Sequence, residues 1–574
     1  MRIKLFLTAI LGSVLLVACS GANTPVPGPT QAPGPTEAPT QTMPSSTTTA
    51  TTAPEVDDTS PSLAIKGKGQ RIEGGKLVRL FLDPPTMDPH ITTDNVSGAL
   101  VNEIFGGLVT INPDLEVVGD LAETWETNAE GTVYTFHLNQ NAKFHDGKAV
   151  TAEDVRWSLE RVTDPATQSP VADQYLGDIV GVRAKLRGDA DTVSGIRVID
   201  DHTIALTIDA PKSYFLAKLT YPTAFVLDRE NLETQGDQWL REPNGTGPFK
   251  LAEYRIGEVL RLTRNENYHL EPAHLDEIEF ILAGGNAMIM YENDEIDITG
   301  VGLADLDRVR DASNPLSSQV HEAPATFSVS YIGLNVAQAP LDDPKVRQAL
   351  NYATDKVTIA DLVLEGAVVP ARGILPPRFP GYNPNLRTYE YNIERAKQLL
   401  SESSYGSDLS AMPRITLSIS GSFGANVPQD LEAILRTWET ELGIRVDILQ
   451  TEWATFLQDL HAKRFQMFTI AWGADYPDPE NYLDVLFHSE SENNQTNYNN
   501  PLVDALLEQA RVEPDRETRF QQYNQVEQMI MDDAPWIPLW TSGEQYVLVK
   551  PTVNDYYLTP MTIPKYRYVY LSQP

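Results

Sequence analysis

The sequence predicts a multidomain protein of two mixed classes. An α+β body runs from residue 71 to about 325, and an α/β body follows from 326 to about 534. Three observations predict this. The chain has 574 residues, more than one hydrophobic core serves, so two or three domains are expected. Its first part strings together short alternating runs and hairpin signals, interrupted by two helix patterns. Its second part alternates strand and helix patterns. Hydrophobic residues make up 41% and aromatics 8%, ample for packed cores.

The amino terminus reads as a secretory signal over residues 1–18. Arg2 and Lys4 precede the apolar run "LFLTAILGSVLLVA". That run is shorter than the roughly 20 residues a membrane span needs. It ends in "LVACS", with Cys19, the only cysteine of the chain, just past the small residues. One cysteine builds no disulfide framework. Its position resembles the lipobox of bacterial lipoproteins, which implies a lipidated Cys19 as first mature residue. An ordinary signal with a chance cysteine is the plainer alternative. Residues 19–71 read as a tether. Between 20 and 65 there are nine prolines, eleven threonines and no aromatic residue. Such a segment buries too little apolar surface to offset its ordering entropy, and fully extended it reaches about 140 Å.

The first strand is expected in "GGKLVRLFL". A helix follows on Val96, Leu100, Ile104 and Leu108. In "GTVYTFHL", Tyr134, Phe136 and Leu138 alternate against Val133, Thr135 and His137, the pattern of a strand with one apolar face. "HDGK" turns the chain. Thr151 with Asp154 three residues on forms a capping box for a helix whose stripe is Val155, Leu159 and Val162. "GIRVIDDHTIALTIDAP" reads as a hairpin, and "NGTGPFKLAEY", "EVLRLTRNENYH", "HLDEIEFIL" and "NDEIDITGVG" as further strands. Past residue 326, "FSVSYIGLN" is a strand. "DDPKVRQALNYATDKVTIADLVL" reads as one helix with Asp343 at its N-cap and Pro344 at its first position. The helix "NIERAKQLL" follows. The strands "RITLSIS" and "GIRVDILQ" then flank the helix "DLEAILRTWETEL", and "FQMFTIAWGADY" closes the series. No internal repeat is visible.

A net charge of −35 excludes nucleic acid as a partner, because phosphates would be repelled. No HExxH, GxSxG or Walker A loop is present, and "GTGPFK" and "GVGLAD" lack the full dinucleotide fingerprint. The nine histidines are scattered without metal-ligand spacing. Acid pairs such as Asp475/Asp478 sit beside prolines, where carboxylates cap and turn. No catalytic residue, metal or cofactor is expected.

Four motifs, in order, resemble the family 5 extracellular solute-binding proteins of ABC importers, the oligopeptide/dipeptide-binding type: "KFHDGKAVTAEDVRWSLERV", "GTGPFKLAEY", "YIGLNVAQAPLDDPKVRQALNYATDKVTI" and "AWGADYPDPENYL". The resemblance covers roughly residues 72–574. It implies a two-lobe, periplasmic-binding-protein-like (type II) fold with an extra domain inserted in lobe I. Lobe I would comprise 72–108, 219–325 and 535–574, the extra domain 109–218, and lobe II 326–534. Hinges would lie near "SVSYIGLN" and "PWIPLW". The implied role is a non-enzymatic, monomeric receptor that closes on a peptide or other small solute and delivers it to ABC permease subunits. The membrane contact would be the lipid anchor alone, outside the cytoplasm.

The same resemblance assigns candidate ligand residues. Asp475 would pair with a ligand α-ammonium group; Trp472 and Trp453 would line the pocket; Tyr476, which also helps set the bend of the motif, and Tyr175 in the extra domain complete the set. A turn aspartate and plain core aromatics are the competing readings. The chain also departs from the pattern. Thr469 stands where some peptide-binding members carry an Arg for the ligand carboxylate. The helix after "LSIS" starts with Asp430 and has no Arg before Arg436. An oligosaccharide, a metal chelate or an opine-like solute therefore stays open beside peptides.

Overall fold

The computed structural model describes residues 62–66, 69–421, 426–543, 545–561 and 565–573. The signal, Cys19 and most of the tether lie outside the described residues. The tether ends earlier than expected from composition: Leu63–Ile65 is a strand paired antiparallel with Tyr556–Leu558. Ile65 is buried there and joins the core instead of continuing the linker.

Three sheets organise the body. The first lobe holds a seven-stranded mixed sheet. Its spatial order is Val320–Ala323, Gln545–Val549, Ile298–Gly300, Lys76–Leu80, Glu277–Ile281, Val259–Arg264, Phe249–Arg255. Lys76–Leu80 runs parallel to both neighbours, and the remaining pairs are antiparallel. The chain leaves this sheet after Leu80 and returns at Phe249. Between these points it builds the helix Asn95–Ile104, the hairpin Val109–Ile111/Val117–Gly119 and a four-stranded antiparallel sheet. That small sheet buries Tyr134, Phe136 and Leu138, as their alternation requires, under the helix Ala152–Val162. The helix starts on the expected capping box, with both reciprocal hydrogen bonds formed. Burying each such large apolar side chain contributes about 1.5–3 kcal/mol. The glycines of "NGTGPF" serve close packing: a Cβ on Gly245 or Gly247 would lie 2.0 or 2.4 Å from the carbonyl oxygens of Ile104 and Glu103.

The chain leaves the first sheet a second time after Ala323 and returns at Gln545. Between them lies the second lobe, a six-stranded sheet of order Val368–Pro370, Trp536–Ser542, Ser328–Leu334, Met467–Gly473, Ile415–Ser420, Val446–Thr451. Three expectations are corrected here. "WIPLWTS" belongs to this sheet and not to lobe I; six of its seven residues are buried, as a strand covered on both faces demands. The two expected hinge strands therefore lie side by side in one sheet, Ser330 opposite Trp540. The chain crosses between the sheets after Ala323 and after Ser542, where the hydroxyls of Thr326 and Ser542 hydrogen-bond. Likewise, the single long helix after Asp343 is two, Pro344–Tyr352 and Lys356–Leu362. The first ends with Ala353 as its C-cap, and Asp355 caps the second through Thr358 N, which local periodicity alone does not reveal. Leu219, Ala224 and Val226, expected in lobe I, pack into the core of the inserted domain.

Candidate functional site

The strand Met467–Gly473 carries its last residues to the edge of the space between the lobes, pairing Trp472 with Val329 and Gly473 with Ser328. The chain then turns through Asp475 and enters the helix Glu480–Phe487. Two acids and an amide build this turn. Asp478 accepts from Glu480 N at 3.0 Å and is gripped by Arg519 through two bonds of 2.8 and 2.6 Å. Asn481, fully buried, accepts from Asp475 N (3.0 Å) and Trp472 Nε1 (3.4 Å), and donates to Asp475 Oδ2 at 3.1 Å. One side chain thus positions both the carboxylate and the indole. Asn481 lies inside the motif that the sequence singles out, and its role is missed there because only the fold brings its amide back onto Asp475.

Asp475 receives a second hydrogen bond across the cleft. Tyr175, on the short helix Ala172–Leu176 of the inserted domain, donates its hydroxyl to Asp475 Oδ2 at 2.5 Å. The Tyr175 ring stacks flat on Tyr221 with centroids 3.8 Å apart. Burial pushes the Asp475 carboxyl up to about 6, against the lowering effect of the Tyr175 and Asn481 bonds. Both of those partners are neutral. Among the described residues no cation lies within 4.0 Å of Asp475.

Asp475, Trp472, Trp453, Tyr175 and Tyr221 line one cleft of about 840 Å³, part of it open to solvent. Trp453 begins the helix Trp453–His461 and lies parallel to Phe456, and its Nε1 has no partner among the described residues. His461 is the only basic side chain on the lining, and burial lowers its pKa. Tyr476 is the one candidate that does not line the cleft. It is fully buried in the inserted domain's core, edge-on to Tyr175, with its hydroxyl on Glu480. The bend after Gly473 thus turns Asp475 to the cleft and Tyr476 into the core. Thr469 is hydrogen-bonded to Tyr331 O, and Asp430 accepts from Trp540 Nε1, so neither position offers a cation.

The lobes are in contact across the cleft. Lys218 of the inserted domain bridges Asp178 on its own side (3.1 Å) and Glu480 on the other (2.8 Å), all three nearly inaccessible. Lys212 adds a second contact to Asp178 at 2.6 Å, and Arg511 holds Asp484 through two bonds of 2.7 Å beside them. Burial raises the Glu480 carboxyl to about 7 against Lys218, while Lys218 and Lys212 overcome the burial penalty on Asp178 and hold it near about 2. Asn493 and Gln174 close a further polar pair.

These values fix the sign of a pH effect on closure. A solvated carboxyl titrates near about 4. Asp475 and Glu480 have closed-state values of about 6 and about 7, so closing takes up protons in between. This contribution to closure is fully present below the open-state pKa and is lost as pH rises through the closed-state values. Asp178 and Asp484, both held low, stay ionised in either state over that range. Small-angle scattering of ligand-free protein should give a smaller radius of gyration at about pH 5 than at about pH 7.5. An unchanged or larger radius would show that these carboxyls do not govern the equilibrium.

Residues 116–494 match the family described as "Bacterial extracellular solute-binding proteins, family 5 Middle". The chain is 30% identical over 488 residues to the "Probable deoxycholate-binding periplasmic protein YgiS" of Escherichia coli, covering 83% of this chain and 89% of that one. It is 26% identical over 499 residues to the "Oligopeptide-binding protein OppA" of Bacillus subtilis, covering 84% and 90%. The Escherichia coli murein tripeptide binding protein MppA superposes with a TM-score of 0.79 at 27% identity, over 88% of this chain and all of that one. A structure of MppA described as the unliganded open form gives only 0.63 at the same coverage of this chain. The lobe arrangement here therefore lies nearer the former. Among the described residues no helix is long and apolar enough to cross a membrane.

Proposed function

Because the chain belongs to the bacterial extracellular solute-binding proteins of family 5, we propose that it is a transport receptor that closes around a peptide and presents it to an ABC permease. The observation that carries the ligand class is Asp475. It is an ionisable carboxylate in an aromatic cleft, hydrogen-bonded only to neutral groups and lacking a countercharge. A ligand ammonium would supply that charge through a charge-assisted hydrogen bond, stronger in a closed, water-poor cleft than in solvent. Trp472 and Trp453 would give flat apolar walls that accept varied side chains. Relatives described as oligopeptide- and dipeptide-binding proteins support the same class. The protein makes and breaks no covalent bond in this reading. Closure is a hinge motion at the two crossings between the sheets, after Ala323 and after Ser542, biased by ligand contacts present only when closed.

The test is calorimetric titration with a peptide panel beside oligosaccharides and deoxycholate. Peptides with a free amino terminus should bind, and their N-acetylated forms should bind about tenfold to a hundredfold more weakly. Saturable binding of a sugar or of deoxycholate, with none of any peptide, would assign the receptor to another solute. The signal and the lone Cys19 further support attachment by a lipid on the outer side of the membrane. Cys19→Ser should then move the protein from the membrane fraction to the soluble extracytoplasmic fraction without changing ligand affinity. Membrane retention of that variant would rule the anchor out.

A further inference from the structure

A second chamber also reaches Asp475. It shares only Asp475 and Tyr221 with the tryptophan-lined cleft and encloses about 600 Å³, part of it open to solvent. Its walls are chiefly apolar: Ile111, Pro113, Leu115, Pro222, Tyr557 and Met561. Apart from Asp475, its one charged group is Lys565.

The surroundings of Lys565 are unusual for a recessed ammonium. Its Nζ reaches Asn102 Oδ1 at 3.4 Å and Thr110 Oγ1 at 3.3 Å, two long bonds to neutral groups. Among the described residues no carboxylate oxygen lies within 4.0 Å of it. The acids that influence it act from beyond 4.0 Å and hold hydrogen bonds of their own: Glu103 accepts from Tyr566 N at 3.0 Å, and Asp120 accepts from His269 Nε2 at 3.0 Å and Tyr268 OH at 3.3 Å. Burial lowers the Lys565 pKa, with Glu103 and Asp120 opposing and Arg567 reinforcing. A buried charge without a counterion is costly and is relieved by an opposite charge. The chamber therefore carries one carboxylate and one ammonium, neither with an opposite charge within 4.0 Å among the described residues, separated by apolar wall.

An α-amino group bound at Asp475 places the adjoining α-carbon where the two chambers meet. That carbon bears two branches, the main chain and its side chain, and each chamber can take one. We propose that the Lys565 chamber is a subsite for the side chain of the ligand's first residue, selecting a linear, carboxylate-tipped chain of the glutamate type. The apolar walls pack its methylenes, and Lys565 pairs with its carboxylate. This rests on the reading of Asp475 as the ammonium partner.

The test is calorimetry with four tripeptides, Glu-Ala-Ala, Gln-Ala-Ala, Lys-Ala-Ala and Ala-Ala-Ala, against the wild-type protein, Lys565→Met and Lys565→Gln. The readout is the ratio of affinities for Glu-Ala-Ala and Gln-Ala-Ala within each protein, so a general loss of folded receptor cancels. Wild type should prefer the glutamate peptide by about tenfold, and Lys-Ala-Ala should bind weakest. Either variant should bring the ratio to within about twofold. Asp475-dependent binding of Ala-Ala-Ala with no glutamate preference in wild type, or an unchanged ratio in the variants, overturns the subsite and leaves the peptide reading standing. Failure of all four peptides to bind overturns both.

Discussion

Asp475→Asn lowers the affinity for a peptide with a free amino terminus by about tenfold to a hundredfold. That range corresponds to about 1.5–3 kcal/mol for a hydrogen bond to a charged group. The substitution keeps the size of the side chain and its place between Tyr175 and Asn481, so it removes charge with little change of shape. The measurement that isolates the ion pair is a double cycle in which the ligand is N-acetylated as the second change. Acetylation should cost the wild-type protein the same factor and cost the variant almost nothing further. Equal losses in both proteins would mean that the ammonium group sits elsewhere. A carboxylate pushed up to about 6 without ligand also predicts proton release when the ammonium binds to the closed form near neutral pH. Titrations in buffers of different ionisation enthalpy read that release directly.

Lys218→Met has the second large effect. The ammonium is inaccessible and holds Asp178 and Glu480 together from opposite sides of the cleft. Methionine fills a similar volume but leaves the carboxylates facing one another, with Asp178 retaining only Lys212. Breaking a buried ion pair by removing one partner costs about 3–5 kcal/mol. Part of that falls on the fold, since Lys218 and Asp178 belong to the same domain, and part on closure, since Glu480 does not. Denaturant unfolding measures the first part. Scattering with saturating ligand measures the second, and the variant should stay open at ligand concentrations that close the wild type. Lys218→Met combined with Glu480→Gln should recover part of the closure, because the uncompensated charge is gone. No recovery in the double variant would place the latch elsewhere, for instance in the packing of Arg519 against the ring of Tyr214.

The strands and helices were legible wherever packing is local. The alternation of Tyr134, Phe136 and Leu138, the capping box at Thr151 and the Asp343–Pro344 helix start each depend on residues a few positions apart. Asp475 and Trp472 became ligand candidates through the resemblance, and their segment is conspicuous for a related reason. The turn "ADYPDPEN" supplies its own caps and breaks, so an acid between aromatics stands out from the surrounding pattern. Tyr175 was legible only through resemblance; nothing within its own segment announces that its hydroxyl meets an acid 300 residues away.

What sequence determined here is most of the local structure, the strongly acidic balance and the candidate acid between two aromatics, Asp475. The tertiary structure decided which of those side chains share a space. It assigned Trp536–Ser542 to the second sheet, turned Tyr476 into the inserted domain's core and brought Asn481 back onto Asp475. It also set Lys218 against Glu480 and Lys565 into a chamber that opens onto the same carboxylate. The physical reason is range. Periodicity and capping act over one or two turns of chain, whereas the pairing or isolation of a buried charge depends on groups brought together from distant segments by the closing of two lobes.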